Sequence, residues 1–138
     1  LSAQARIIAV GTTSMRSLES IYWLAALSDE ANLATFLKPE IPYSEMPSLS
    51  RKEALDRLIR LMERKGLDTF HAKTALFVMP GYSIKMCDGL ITNFHQPKST
   101  LLALVATLIG EDWKKIYQDA LENDYRFLSY GDSSLLLP

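Results

Sequence analysis

Apolar residues recur along this chain at two periods, and the alternation between those periods predicts its elements. Short aliphatic runs at Arg6–Val10 (RIIAV), Thr74–Met79 (TALFVM) and Gly89–Thr92 (GLIT), and a last one in SSLLL after Asp132, read as buried strands. Between them the spacing becomes helical. Leu18, Ile21, Tyr22 and Ala25 repeat on one face, with Thr13 or Ser14 placed to cap the start. Ser50 and Glu53 have the spacing of a capping box, and Leu55, Leu58, Ile59 and Met62 form a stripe that stops at Gly66. Ser99 is placed to cap a helix beginning at Leu101. After Gly110 a second helix, capped by Glu111 or Asp112, carries Trp113, Ile116, Tyr117, Ala120 and Leu121 on one face. From Asn32 to Leu49 the pattern fades, and Pro39, Pro42 and Pro47 make it a surface connection.

The order of strand, hydroxyl-rich turn and helix occurs twice, at Arg6–Ala25 and at Gly89–Ile109. The fold predicted is α/β, a mostly parallel sheet flanked by helices in one domain over residues 1–138. Strand-to-helix turns of this kind, side by side in a parallel sheet, open toward one cleft at the carboxyl ends of the strands.

Composition narrows the partners. The 138 residues are 48% hydrophobic, enough for one core, and a net charge of −1 gives no global field toward nucleic acid or an acidic membrane. Any phosphate contact must be local. The single cysteine, Cys87, has no disulfide or zinc-ligand spacing, so a reducing, cytoplasmic setting and no metal are expected. The run Leu101–Ile109 is too short to span a bilayer. Leu1 in place of a Met start suggests an excised piece.

Candidate chemistry gathers at three places. The first turn, GTTSMR, offers Gly11, the hydroxyls of Thr12, Thr13 and Ser14, and Arg16. It matches neither the phosphate-binding P-loop nor the dinucleotide fingerprint, and helix capping competes with binding of a carboxylate or phosphate there. The second turn packs Asn93, Phe94, His95, Gln96, Lys98, Ser99 and Thr100 around Pro97. His95, with an ordinary pKa of ~6.5, is either an acid–base group or a structural ring. Lys98 opposes the dipole at a helix start unless an anion lies nearby. The third place holds Tyr125, Arg126, Ser129, Tyr130, Gly131 and Asp132, where Arg126 has the fork to clamp a carboxylate and Asp132 either acts on substrate or bonds its own turn. On α-helical spacing, Arg57, Arg60, Arg64 and Lys65 form a basic face that Glu53 and Asp56 balance through i,i+4 pairs.

Four segments, VGTTSMRSLES, MPGYSIKMCDGLITNFHQPKSTLLALVA, IYQDALENDYRF and SYGDSSLLL, resemble in this order the carboxyl-terminal part of the S-adenosylmethionine:tRNA ribosyltransferase-isomerase family. The resemblance covers Arg6–Ser28 and Thr74–Leu137, and TNFH-x-PKSTLL and YRF-x-SYGD are its most specific signatures. It implies a single-domain fragment of a larger two-domain enzyme of queuosine biosynthesis. That enzyme transfers and isomerises the ribosyl part of S-adenosylmethionine onto 7-aminomethyl-7-deazaguanine in the tRNA anticodon loop, giving epoxyqueuosine and releasing adenine and methionine. The implied catalytic residues are His95 for proton transfer and Asp132 in assistance. Tyr82, Phe94 or Tyr130 would hold the sulfonium or stack a base. Arg16, Lys98 and Arg126 would hold a carboxylate or phosphate, and Thr12, Thr13 and Ser14 would position ribose or carboxylate, with Asn93, Ser99 and Thr100 beside them. S-adenosylmethionine is then a substrate, and the family's amino-terminal part, including its β-barrel domain, is the missing partner. The sequence departs from the family at Gln96, where Leu is usual, and at Asn32–Phe70, which reads as a helical insertion. The competing class is a non-catalytic ligand- or tRNA-binding domain. A common methyltransferase is more remote, since the glycine-rich loop after the first strand is absent.

Overall fold

The computed structural model describes residues 5–44 and 49–138. In order the elements are β1 (Ile8–Val10), α1 (Thr12–Leu27), β2 (Phe36–Leu37), α2 (Ile41–Ser44), α3 (Arg51–Arg64), β3 (Lys73–Thr74), β4 (Gly89–Asn93), α4 (Thr100–Ile109), α5 (Asp112–Glu122) and β5 (Ser133–Leu136). They fall into two compact units: residues up to Met15 together with Val78–Pro138, and Arg16–Phe77. No helix among the described residues is long and apolar enough to cross a membrane.

The first unit is built on a three-stranded sheet of order β1-β4-β5. β1 runs parallel to β4, pairing Ala9 with Leu90 and Val10 with Ile91. β5 runs antiparallel to β4, pairing Leu136 with Leu90 and Leu135 with Ile91. The sheet is therefore mixed, not mostly parallel. Between β4 and β5 the chain passes through α4 and α5 and the turn at Tyr130–Asp132, and it re-enters the sheet beside β4 in the opposite direction. Ala9, Leu90 and Leu136 are buried together in one row. α4 buries Leu102, Leu104, Val105 and Leu108, α5 buries Tyr117 and Ala120, and the two helices pack on one another. Gly89 sits where the sheet is tightest: a Cβ there would meet Leu137 Cδ2 at 2.7 Å and Ile8 Cδ1 at 2.8 Å.

Ser99 caps α4 as its spacing predicts, its hydroxyl accepting from the Leu102 N–H at 3.1 Å. The caps of α1 and α5 differ. At α1 the Gly11 carbonyl accepts from the Met15 N–H at 3.1 Å, so Thr12, Thr13 and Ser14 lie inside the first turn. At α5 Glu111 already has helical backbone angles and makes no side-chain capping bond, and Leu121 is exposed.

The second unit holds most of α1, with Tyr22, Trp23, Leu24 and Ala25 buried, and the parallel pair β2-β3. The predicted strand over Thr74–Met79 shrinks to its first residue. The Thr74 hydroxyl takes the Leu76 N–H at 3.0 Å, bending the chain out of the ladder, while Leu76 and Val78 are still buried. The connection Asn32–Leu49 contains β2 and α2, and its third proline, Pro47, lies outside the described residues. The capping box of α3 is present in both directions, Ser50 Oγ accepting from Glu53 N–H and Glu53 accepting from Ser50 N–H. Its far end closes on Gly66 with Leu67 N–H bonded to Met62 O and Gly66 N–H to Glu63 O. The buried stripe runs through Ala54, Leu58 and Leu61, one position off the predicted one, and Ile59 is exposed. The charge pairs also differ: Asp56 meets Lys52, and Arg57 donates to Ser28 O.

Candidate functional site

The parallel register of β1 and β4 brings the two strand-to-helix turns together, and the Gly11 N–H donates to Ile91 O at 2.8 Å to lock them. Gly11 has a φ of +88°, a conformation that other residues rarely adopt, so the chain can leave β1 and enter α1 within one residue. A cavity of about 440 Å³ opens at this end of the sheet. Its polar lining comes from Thr12, Thr13 and Ser14 in the first turn of α1, Thr92, Asn93 and His95 at the end of β4, Ser129 before β5 and Ser133 at its start. Val10, Ile91, Leu101 and Leu128 complete the wall.

His95 is 9% exposed, and each polar part of it that the fold reaches is tied. Its Nε2 lies 3.0 Å from Thr92 Oγ1, and its backbone N–H donates to the Tyr117 hydroxyl at 3.0 Å. Burial holds its pKa below the ordinary histidine value, because the charged ring would lose hydration there. At neutral pH the ring is therefore uncharged and able to accept a proton. Burial likewise raises the Tyr117 phenol, against the smaller opposing effect of the His95 N–H.

Asn93 holds the third wall. Its Nδ2 donates to Leu128 O at 2.8 Å and its Oδ1 accepts from Ser133 Oγ at 2.8 Å. Leu128 N–H donates in turn to Phe94 O at 2.9 Å, and Leu128 adopts φ +70° to do so. The loop from Arg126 to Asp132 is closed on itself. Asp132 Oδ2 accepts from the Arg126 N–H at 2.7 Å, and Asp132 Oδ1 lies 3.3 Å from the Arg126 guanidinium. The Arg126 N–H first, then its side chain, hold the Asp132 carboxyl below its usual range.

Of the sequence candidates, the cavity gathers Thr12, Thr13, Ser14, Asn93 and His95. The others lie elsewhere. Asp132 and Arg126 face each other in their own turn, which is the self-bonding alternative for Asp132. Phe94 is buried in an aromatic cluster with Tyr117, Tyr125 and Phe127, at ring distances of 5.4, 5.6 and 5.3 Å, so its faces are already covered. Tyr82 is buried and lines a separate hollow with Arg6, Cys87 and Asp88. Ser99 is spent on the helix cap, while Lys98 and Thr100 are exposed beside it. Tyr130 is 97% exposed. Arg16 belongs to the second unit. Sequence reasoning missed Thr92 and Ser133, whose only signal was a hydroxyl near the end of β4 and at the start of β5, and Tyr117, which carried none.

A family model described as queuosine biosynthesis protein matches residues 1–136. The chain belongs to that family. It is 41% identical over 133 residues to the S-adenosylmethionine:tRNA ribosyltransferase-isomerase of Legionella pneumophila, covering 96% of this chain and 28% of that protein. Its identity to the enzyme of the same name from Ruegeria pomeroyi is 54% over 84 residues, 59% of this chain and 24% of the other. The crystal structure of S-adenosylmethionine tRNA ribosyltransferase from Thermotoga maritima superposes with a TM-score of 0.61 at 34% identity, over 96% of this chain and 33% of that one. The chain thus spans less than a third of the curated relatives it matches over nearly its whole length. Its mixed α/β fold is similar to that of the matched third of the Thermotoga structure.

Proposed function

We propose that this chain is a working part of an S-adenosylmethionine:tRNA ribosyltransferase-isomerase. With the remainder of the family's polypeptide it transfers and isomerises the ribosyl moiety of S-adenosylmethionine onto 7-aminomethyl-7-deazaguanine in the anticodon loop of tRNA. The product is epoxyqueuosine, and adenine and methionine leave. The observation that carries this reading is the cavity at the joined ends of β1 and β4, which unites a neutral, shielded histidine with the first turn of a helix.

The reaction needs a base for the ribose C5′ proton that the neighbouring sulfonium acidifies, and a proton donor for departing adenine. His95 serves as that base or carries a proton to the leaving group, its orientation set by Thr92 and Tyr117. The first turn of α1, which carries the hydroxyls of Thr12, Thr13 and Ser14, receives a carboxylate or phosphate oxygen. Asp132 assists at a distance by fixing the loop that carries Ser129. Lys98, Arg126 and the exposed ring of Tyr130 contact the tRNA loop, by charge and by stacking. S-adenosylmethionine is a substrate in this scheme, and no metal takes part.

The test uses a chimera in which this chain replaces the matching part of the Legionella pneumophila relative. Incubated with S-adenosylmethionine and substrate tRNA, it should release adenine, and His95→Ala should slow release by about 100-fold or more. Binding of tRNA with no adenine release would make the domain a binding module only, and near-normal turnover by His95→Ala would remove the role given to that residue.

A further inference from the structure

His95 carries two ring nitrogens, and the fold spends only one of them. Nε2 lies 3.0 Å from Thr92 Oγ1. Nδ1 makes no hydrogen bond among the described residues, yet no buried side-chain nitrogen or oxygen among them lacks a partner. Nδ1 is therefore not sealed in protein, and the opening that His95 lines is the cavity at the ends of β1 and β4. An imidazole has two orientations of nearly equal shape about its Cβ–Cγ bond, and half a turn would set a carbon against the Thr92 hydroxyl. The bond to Thr92 selects the orientation that leaves Nδ1 to the cavity.

Both ends of that bond are held by their surroundings. Thr92 pairs with Ser134 across β4 and β5, its carbonyl accepts from Ser134 Oγ at 3.1 Å, and its side chain is buried. His95 N–H donates to the Tyr117 hydroxyl, and the Tyr117 ring stands edge to face against Phe94 and Trp113. No charged side chain among the described residues lines the cavity, so the titratable groups about the ring are the Tyr117 phenol, which burial keeps protonated, and the exposed Lys98 three residues on. We infer that Nδ1 is the nitrogen of His95 that takes up the proton, and that Thr92 is a positioning residue that holds Nε2–H out of the reaction. The inference rests on the reading of His95 as the base of the ribosyl transfer. In that step the C5′–H bond breaks, its electron pair stays on the carbon beside sulfur, and the proton bonds to Nδ1. One positive charge thereby passes from substrate to ring, and the Thr92 hydroxyl accepts from Nε2–H of the charged imidazole.

Nitrogen NMR of the histidine rings in the 138-residue chain, with His95 told from His71 by the His95→Gln variant, reads the arrangement without turnover. The neutral His95 ring should carry its proton on Nε2. Thr92→Val keeps the shape and removes the hydroxyl, so it should shift the Nε2 resonance far more than that of Nδ1 and lower the ring pKa by roughly half a unit or more. Thr92→Ser should restore both. A neutral ring with its proton on Nδ1, or a ring that Thr92→Val leaves unmoved, overturns the inference. A second test in the chimera does not depend on Thr92→Val folding. Nδ1-methylhistidine in place of His95 should release adenine as slowly as His95→Ala. Nε2-methylhistidine combined with Thr92→Ala, where the methyl group takes the space of the hydroxyl, should stay within about 10-fold of Thr92→Ala alone. Undiminished release with Nδ1 methylated overturns the inference. Near-native release by His95→Ala removes the base reading and the task of Nδ1 with it, while the nitrogen spectrum decides separately whether Thr92 holds Nε2.

Discussion

His95 Nε2 and Thr92 Oγ1 stand 3.0 Å apart at the end of one strand, both side chains buried, so the ring is held by a hydroxyl and not by a carboxylate. A carboxylate partner would favour the charged ring, whereas a buried hydroxyl leaves desolvation in control and the pKa falls. The sign of the consequence follows. Above the ordinary histidine pKa both folded and unfolded chains are neutral at this residue, and it contributes no pH dependence. As pH drops below ~6.5 the unfolded chain takes up a proton that the folded chain refuses, so stability declines until the depressed folded value is passed. Urea unfolding between pH 7.5 and pH 5, at roughly half-unit steps, should show this slope in the native chain and lose it in His95→Gln. An unchanged slope in the variant would mean that the ring is accessible to solvent.

The turn before β5 depends on a glycine for space rather than for its φ. A Cβ on Gly131 would lie 2.2 Å from Arg126 O and 2.7 Å from the Phe127 carbonyl carbon, both of them backbone. Nothing there can step aside without breaking the Arg126 O bond from Asp132 N–H, which is 2.8 Å long. Gly131→Ala should therefore destabilise the first unit by about 2–4 kcal/mol, and chemical denaturation would register it as a lower midpoint at unchanged slope. A loss below about 0.5 kcal/mol would show that the loop is not packed this tightly.

Asp132 makes a prediction of opposite pH sense. The Arg126 N–H, and secondarily its guanidinium, favour the carboxylate, so the folded pKa lies below the unfolded one. The stability this provides is full above the ordinary carboxylate pKa and disappears as pH falls through the depressed value. Asp132→Asn should flatten the acid limb of the stability profile below about pH 4, leave the histidine slope in place, and lower turnover in the chimera without changing its pH optimum. A shifted optimum would instead make Asp132 a participant in proton transfer.

Much of this arrangement was readable from the residues alone. The two strand-turn-helix units, the Ser99 and Ser50 caps and the pairing of the corners near Gly11 and Asn93 all follow from local spacing, and all are found. What local spacing does not encode is the partner of each side chain. Phe94 and His95 are adjacent, and nothing in TNFH says that one ring meets Tyr117 edge to face while the backbone of the other bonds its hydroxyl. Strand direction escaped for the same reason. SSLLL is equally apolar in either orientation, and its direction is set by the path of the chain through α4 and α5, not by its own residues. The strand expected over Thr74–Met79 failed because the hydroxyl of its own first residue competes for a ladder N–H.

Lys98 joins backbone strain to charge, and the two can be separated. It adopts φ +60° between Pro97 and the Ser99 cap, a left-handed conformation that costs a residue with a Cβ about 1–2 kcal/mol. It also places a cation at the start of α4, against the helix dipole. Lys98→Gly should relieve both and raise stability by about 1 kcal/mol, read as a higher urea midpoint. Should the lysine serve tRNA phosphate, as proposed above, the same variant in the chimera binds tRNA more weakly, and the slope of log affinity against log salt falls by roughly one ion. Lys98→Arg keeps the charge and the strain, and should match the native chain in both measurements. A glycine variant that is more stable and binds tRNA with an unaltered salt slope would leave Lys98 with no part in anion recognition, and the strained turn would then have only a structural explanation.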